Sequence, residues 1–206
     1  GKLTTRHATG TITISTPNGD LSGPVDLYSK LPNKTRAYMV LDLSAMGMNE
    51  KMTLDQKFDG TAGWALNSLQ GDNQITGQQL DNMRNATFPS TLLNYKTTGA
   101  RIELLPNETL AGKAAIVLRV TPKVGAVAKL YLDAETYLAV RTVATINVPQ
   151  MGGDVEQVAE ASDYRTVDGV KVPFKTVNTT PMQTTTMVLT KVEHNVVIDD
   201  AMFVVK

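Results

Sequence analysis

The two histidines are the residues best suited to acid–base chemistry in this chain. A nucleophilic hydroxyl needs a base within hydrogen-bond reach, and only His7 and His194 could serve as one. They lie near opposite ends of the sequence, and no G-x-S-x-G motif presents a serine to either of them. Because the chain has no cysteine, a thiol nucleophile is also excluded. We therefore expect both histidines to be structural and the protein not to be an enzyme.

The acidic residues are too dispersed to indicate a metal site. Asp154 with Glu156, and Asp199 with Asp200, are the two dense acidic pairs, and neither has the spacing of a calcium loop. Solvated turn carboxylates are the favoured interpretation, so we predict no metal and no cofactor.

The glycines in 151–154 lie between two predicted strands, which indicates a hairpin rather than a phosphate-binding loop. A glycosidase could draw two carboxylates from anywhere, but aromatic residues, which usually line sugar sites, make up 5% of the chain.

Charge and hydropathy limit the kinds of partner. The 20 basic and 20 acidic residues give a formal net charge of zero, without blocks of one sign. A nucleic-acid partner is therefore not expected. The sequence contains no run of 18 apolar residues, which a membrane-spanning helix would need. A neutral or apolar partner, or none, is favoured.

Methionine is unusually frequent, with nine residues. Met39, Met46, Met48 and Met52 lie close together, and Met187 lies in a late predicted strand. The flexible thioether suits surfaces that adapt to variable apolar ligands. The alternative is that these methionines simply fill a core, and the methionine content by itself favours this alternative.

An alternation of apolar and polar residues with period two dominates the sequence and is interrupted by turn residues. This pattern is typical of a meandering antiparallel sheet. The predicted strands are 11–15, 21–31, 36–43, 52–58, 63–67, 101–105, 114–121, 127–132, 138–148, 155–164, 172–179 and 184–192. Segment 76–86 instead has helical spacing, with Leu80 and Met83 on one stripe and Thr76 as the N-cap. A weak helix around 88–93 extends it, and 199–203 forms a short terminal helical turn.

These elements predict one mainly β (α+β) domain over residues 1–206. About twelve sequential strands would make an unusually large flat sheet, so we expect a strongly curved antiparallel sheet that forms an incomplete barrel. Curling hides the apolar face, and segment 76–93 is expected to cover the open side.

Five sequence phrases occur in an order that one protein family shares. They are Phe58-Asp-Gly-Thr-Ala-Gly-Trp64, Thr76-Gly-Gln-Gln-Leu80, Leu130-Tyr-Leu-Asp-Ala-Glu-Thr136, Asp163-Tyr-Arg-Thr-Val-Asp-Gly-Val-Lys-Val-Pro-Phe174 and Asn195-Val-Val-Ile-Asp-Asp-Ala-Met-Phe203. Over roughly residues 34–206 the chain resembles the outer-membrane lipoprotein-sorting proteins, the superfamily of the periplasmic lipoprotein carriers LolA and LolB. Several phrases also contain hairpin turn residues, so they report the fold more than the function.

The resemblance implies a lipoprotein-carrier-like half-barrel with helices over its open side and an apolar cavity for acyl chains on its concave face. It also implies a periplasmic or secreted protein whose partner is a lipid or an acylated protein, and it is compatible with peripheral membrane contact. Two departures stand out: no helix precedes the first strand, and no lipid-gating residue of the carriers can be matched here. We expect Gly1 to be a cloning remnant and the residues upstream of it, including a signal peptide, to have been removed.

Strand parity, taken with the resemblance, predicts the residues that line such a cavity. They are Met39, Leu41, Met52, Leu54, Trp64, Leu66, Leu118, Leu130, Met187 and Leu189, with Leu80 and Met83 on the lid. The expected function is non-enzymatic binding or carriage of a lipid or another apolar ligand. Two alternatives stay open. One is an envelope interaction or sensor module in which the same residues fill a core, and the other is a hydrolase with a polar cluster in a cleft.

Overall fold

The alternating segments pair into one antiparallel sheet in the computed structural model, which describes residues 2–148 and 153–204. Within these residues the sheet has thirteen strands. The strands are β1 (Thr5–Thr16), β2 (Gly19–Lys30), β3 (Lys34–Asp42), β4 (Lys51–Phe58), β5 (Gly63–Asn67), β6 (Asn73–Ile75), β7 (Arg101–Leu110), β8 (Lys113–Thr121), β9 (Ala128–Asp133), β10 (Ala139–Val148), β11 (Gly153–Val167), β12 (Val170–Thr179) and β13 (Thr184–His194).

The strand order is a meander that is split in one place. It runs β6-β5-β4-β3-β2-β1-β13-β12-β11-β10-β9-β8-β7, so the first and last strands pair in the middle of the sheet. The two edge strands, β6 and β7, are joined by residues 76–100, which we call the insert. It contains helix α1 (Gly77–Asn85) and the single turn α2 (Tyr95–Thr98).

Contacts of α1 with both ends of the sheet show that the sheet is strongly curved. Arg84 Nη2 donates to the carbonyl of Thr61, between β4 and β5 (3.1 Å). The neighbouring Asn85 Nδ2 donates to the carbonyl of Val124, between β8 and β9 (2.7 Å). Strands β5 and β9 are nine places apart in the strand order, which is about 43 Å in a flat sheet. A nine-residue helix is about 14 Å long, so the two ends of the sheet must curl towards each other.

The molecule exposes more surface than a compact protein of its mass. Its accessible area is 11580 Å², against roughly 9,400 Å² for a typical compact monomer of 22.3 kDa. An open sheet with a partly uncovered concave face accounts for an excess of this kind. The predicted strongly curved, incomplete antiparallel barrel is therefore confirmed.

The C-terminal residues pack on the convex side of β2, β3 and β4. Residues Asp200–Phe203 form a short 3₁₀ helix, close to the predicted helical turn, and Phe203 is 1% exposed. Asp200 accepts from the ammonium groups of Lys30 (2.8 Å) and Lys34 (3.0 Å). These ion pairs thereby tie the 3₁₀ helix to the hairpin of β2 and β3.

Two local elements differ from the sequence predictions. Strand β6 was not expected, and the weak helix expected around 88–93 is replaced by turns followed by α2. The other predicted strands are present, and most are one to five residues longer than expected. In the predicted hairpin at 151–154, residues 151 and 152 lie outside the described residues.

Candidate ligand-binding face

The insert packs on one face of the sheet, which we call the inner face. A Cβ atom built on Gly63 of β5 would lie 3.4 Å from Sδ of Met83 in α1. Further along the insert, the Phe88 ring lies 5.2 Å from the guanidinium carbon of Arg6 in β1. Gly63 and Arg6 belong to one row of cross-strand partners, and such partners share a face. The register therefore assigns every paired residue to the inner or the outer face.

The inner face of β1 to β4 carries a packed apolar cluster. Its buried members include Val25 and Leu41, which are 1% and 0% exposed. The partly buried side chains packed against them include Met39, Met52, Leu54 and Met187. Five of the predicted lining residues are thus brought together, but they fill this part of the barrel.

Two of the predicted lining residues lie on the other face. The register pairs Trp64 with Lys57 and Leu66 with Asp55, whereas Leu54 pairs with Asn67. Since cross-strand partners share a face, Trp64 and Leu66 point to the outer face, away from Leu54. The expectation of one common lining surface must be corrected for these two residues. The inner side of β5 is already occupied at Gly63, where an added Cβ would lie 3.2 Å from Cβ of Ile75 in β6 and 3.4 Å from Sδ of Met83 in α1.

The remaining predicted residues lie on the inner face or on the insert. Leu118 and Leu130 are cross-strand partners on β8 and β9, and both are half-buried. Beside Leu118, its partner Leu104 on edge strand β7 is 69% exposed. Leu80 and Met83 of α1 are also half-buried. The structure does not join these residues to the cluster around Leu41.

A cavity of about 180 Å³ opens on the inner face of the central strands β1, β2, β12 and β13. We call it the central cavity. Predicted residues Met187 and Leu189 line it, together with apolar side chains that the sequence did not single out. Those side chains are Ala8, Leu27, Val172, Pro173 and Phe174, and the polar lining consists of Arg6, Ser29 and Thr176.

A second cavity of about 280 Å³ separates the insert from strands β8 to β11. We call it the insert cavity. The sheet side is mainly small and apolar, with Val120, Ala128 and Ala144, and the insert side includes Asn82 and Asn85. This cavity exists because α1 spans the gap between the two ends of the sheet, a contact that strand parity cannot predict.

Arg6 is the charged residue of the central cavity. Its Nε donates to Nε2 of His194 (3.0 Å), so that nitrogen accepts and the ring proton lies on Nδ1. His194 Nδ1 then donates to Oδ2 of Asp168 (3.1 Å). The His194 side chain is 1% exposed, and burial lowers the pKa of the Arg6 guanidinium. The sequence signal for this site is that Arg6, a charged residue, lies an even number of positions from Ala8 and Ile12 and so points to the same face of β1.

The two histidines lie on neighbouring strands but on opposite faces. Arg6 pairs with His194 and His7 pairs with Glu193, which places His7 on the outer face. His7 Nε2 lies 3.0 Å from Asp26 Oδ1, and its ring stacks on Tyr28 at 4.4 Å between centroids. Both rings therefore serve as links between packed side chains.

The described part of the chain offers neither a metal-binding cluster nor a membrane-spanning helix. Among residues 2–148 and 153–204, no group of three or more His, Asp or Glu side chains is arranged to hold a metal ion. In the same residues, no helix is long and apolar enough to cross a membrane.

Comparisons with known proteins identify the architecture. No protein-family model matches the sequence, and no curated protein matches it either. A domain described as an outer membrane lipoprotein-sorting protein from Vibrio parahaemolyticus superposes with a TM-score of 0.65 at 12% identity, covering 97% of this chain and 88% of that one. A LolA superfamily protein from Nitrosomonas europaea gives a TM-score of 0.66 at 13% identity, covering 99% and 91%.

A third similar structure is a DUF1329 family protein from Desulfovibrio piger. Its TM-score is 0.66 at 15% identity, with 98% of this chain and 90% of that chain covered. All three likenesses extend over nearly the whole chain at low identity, so they concern the backbone architecture. The resemblance inferred from the five sequence phrases is confirmed at this level: the chain has the open-barrel fold of the LolA-like lipoprotein-sorting proteins.

Proposed function

We propose that this protein is a non-enzymatic carrier that binds a lipid or an acyl chain on its inner face. The observation that carries the proposal is the pair of mainly apolar cavities on the concave side of an open barrel, beneath or beside the insert. Burial of hydrocarbon contributes roughly 0.8 kcal/mol per CH₂ group. A dry, adaptable surface needs no reactive group for this task, and the Met side chains packed there suit it.

The size of the cavities implies that the insert moves when a long chain enters. Each cavity is smaller than the roughly 300–1,000 Å³ of ordinary small-molecule pockets. The insert is fastened by polar contacts such as Ala126 N to Asn82 Oδ1 (2.9 Å) and Phe88 N to the Pro32 carbonyl (2.8 Å). Each contributes about 1 kcal/mol net, so burying a few CH₂ groups offsets their loss.

The solvent-exposed apolar surface beside the insert supports entry from that side. Leu104 on edge strand β7 is 69% exposed and neighbours Leu118 on the inner face. In the insert itself, Leu93 is 74% exposed. We place the protein in the periplasm or among secreted proteins, with a lipid or acylated protein as partner and with peripheral membrane contact during transfer.

Ligand uptake tests the proposal directly. Purified protein is compared by native and denaturing mass spectrometry for co-purifying lipid, and is then titrated with a fluorescent fatty acid. Leu189→Gln places a polar group in the central cavity and is expected to weaken uptake about tenfold, as loss of apolar complementarity does in other pockets.

Val188→Gln is the matched control, because Val188 is the preceding residue on the opposite face and is 40% exposed. Its uptake is expected to equal that of the unmodified protein. Absence of any co-purified lipid together with absence of uptake would refute the carrier function. Equal loss in both variants would show that uptake does not depend on the central cavity.

A second candidate is an envelope interaction or sensor module without a small-molecule ligand. The packed cluster around Leu41 favours it, since Val25 and Leu41 leave no space in that part of the barrel. This function predicts no lipid uptake and specific capture of a protein from periplasmic extract. The uptake titration therefore separates the two candidates.

A further inference from the structure

The central cavity combines an apolar wall with a cation at one end. Ala8, Leu27 and Leu189 contribute to the wall, and Arg6 contributes the charge. Arg6 pairs across the strands with Ser29, which also lines the cavity. A guanidinium and a hydroxyl are therefore adjacent at the polar end of an apolar surface.

In the described part of the chain, Arg6 has no carboxylate in direct contact, and the Asp168 carboxylate is linked to it only through the His194 ring. Among the described residues Arg6 forms no salt bridge, and its hydrogen-bond acceptor is the neutral ring nitrogen of His194. The other guanidinium near this cavity, Arg165, lies over the Phe174 ring and is paired with Asp163 at 2.7 Å. Burying a cation without a counter-ion is costly, so a ligand that supplies a negative charge would be favoured at Arg6.

Accordingly, we propose that the ligand of the inner face is an anionic amphiphile, whose carboxylate or phosphate head group binds Arg6 and Ser29 while its chain lies along the apolar wall of the central cavity. This inference rests on the proposed carrier function and adds the chemical class of the ligand. The guanidinium offers parallel N–H donors that match two oxygens of such a head group. The contact of Arg6 with Phe88 also places the head group beside the insert, so that binding and insert position are coupled.

The test compares ligands that share one chain and differ in the head group. Hexadecanoate, hexadecyl phosphate and methyl hexadecanoate compete with a fluorescent fatty acid for the unmodified protein. Charge-assisted hydrogen bonds are worth roughly a tenfold to hundredfold difference in affinity, so both anions are expected to bind at least about tenfold more tightly than the ester. The ratio between hexadecanoate and hexadecyl phosphate identifies which head group the site prefers.

Variants then assign the preference to Arg6. Arg6→Gln is expected to lower the affinity for the anions about tenfold and to leave that for the ester unchanged, whereas Arg6→Lys keeps most of the preference. Arg119→Gln, which removes a half-exposed guanidinium paired with Glu103 on the outer face, is the matched control and is expected to change neither affinity. The head-group comparison in the unmodified protein needs no variant, so a folding defect in one variant leaves the test decisive.

The outcomes separate this inference from the carrier function. Equal affinity for the anions and the ester would overturn the anionic head group while leaving the carrier function standing. Equal loss for all ligands in Arg6→Gln would make Arg6 a structural link to the insert and would also overturn the inference. Inorganic phosphate binding as tightly as hexadecyl phosphate would overturn it in favour of a site for a free anion. Binding of none of the ligands would overturn both proposals.

Discussion

Release of the insert from the sheet should make ligand uptake faster. Two side chains of α1 fasten it to the loop between β8 and β9: Asn82 Oδ1 accepts from the Ala126 N–H at 2.9 Å, and Asn85 Nδ2 donates to the Val124 carbonyl at 2.7 Å. The double substitution Asn82→Ala and Asn85→Ala removes both bonds. Alanine also favours the helix itself, so the change acts on the docking of α1 and not on its formation.

The expected magnitude follows from the two lost hydrogen bonds. At about 1 kcal/mol each, the closed position loses about 2 kcal/mol relative to the open one, which raises the open population about 30-fold. If opening limits entry, the uptake rate rises by up to the same factor. Both side chains are half-exposed, so each hydrogen bond contributes less than this average. The expected rise in the uptake rate is therefore smaller than about 30-fold.

Two measurements check this expectation. Stopped-flow fluorescence gives the uptake rate of a fluorescent fatty acid, and hydrogen exchange of residues 77–98 gives the opening of the insert. Gln79→Ala is the matched control, since Gln79 is exposed on the same helix, and it should change neither quantity. Faster exchange without faster uptake would refute the role of the insert as the gate, and unchanged exchange would refute its attachment by these two bonds.

Three further predictions concern stability. Leu41→Ala, at a fully buried position, should lower the free energy of unfolding by about 2–5 kcal/mol, as measured by urea denaturation; a loss below 1 kcal/mol would mean that the cluster is not packed. Asp55→Asn should lower the free energy of unfolding by about 3–5 kcal/mol, because it leaves Arg36 without its carboxylate partner, now 2.7 Å away, in a mostly buried site. Thermal denaturation measures this loss. A shift in Tm no larger than that caused by an Asp→Asn substitution at an exposed position would contradict it. Hydrogen bonds from two lysine side chains lower the pKa of Asp200, so its contribution to stability is present above the unfolded-state pKa of about 4 and is lost as the pH falls through the lower folded-state pKa. Asp200→Asn should flatten the dependence of unfolding on pH in that acid range, and identical pH profiles for both proteins would exclude this link.

The local patterns of the sequence account for most of the sheet. Strands such as β1 and β5 follow from alternation and turn residues because a half-buried strand repeats every two residues. Strand β6 was missed since Asn73 and Gln74 are polar and three residues carry too short a pattern. Its pairing with β5 is decided by the turn between them and by the burial of Ile75, which is 4% exposed.

The sequence was less informative about which face of the sheet each side chain occupies. Trp64 and Leu66 look like core residues by type, but Gly63 and Ala65 occupy the inner side of β5. There, Ile75 of β6 and Met83 of α1 both lie against Gly63. Conversely, Arg6 is charged and yet lies on the inner face, where type alone would not place it. In both cases the neighbouring side chains come from other elements: Ile75 and Met83 lie against Gly63, and Phe88 of the insert lies against Arg6.

The sequence by itself determined the class of fold, and it excludes thiol chemistry because it contains no cysteine. The absence of a metal site and of a phosphate-binding loop is an expectation from the sequence. Alternation, turn residues and five ordered phrases were enough to predict the curved antiparallel barrel, because each of these signals is carried by residues that are close together in the sequence. Only the tertiary structure decided which part of the inner face is filled around Leu41 and which part is open beside Arg6. The physical reason is that a cavity depends on how closely distant elements approach, and here that distance is set by the contacts of α1 with both ends of the sheet.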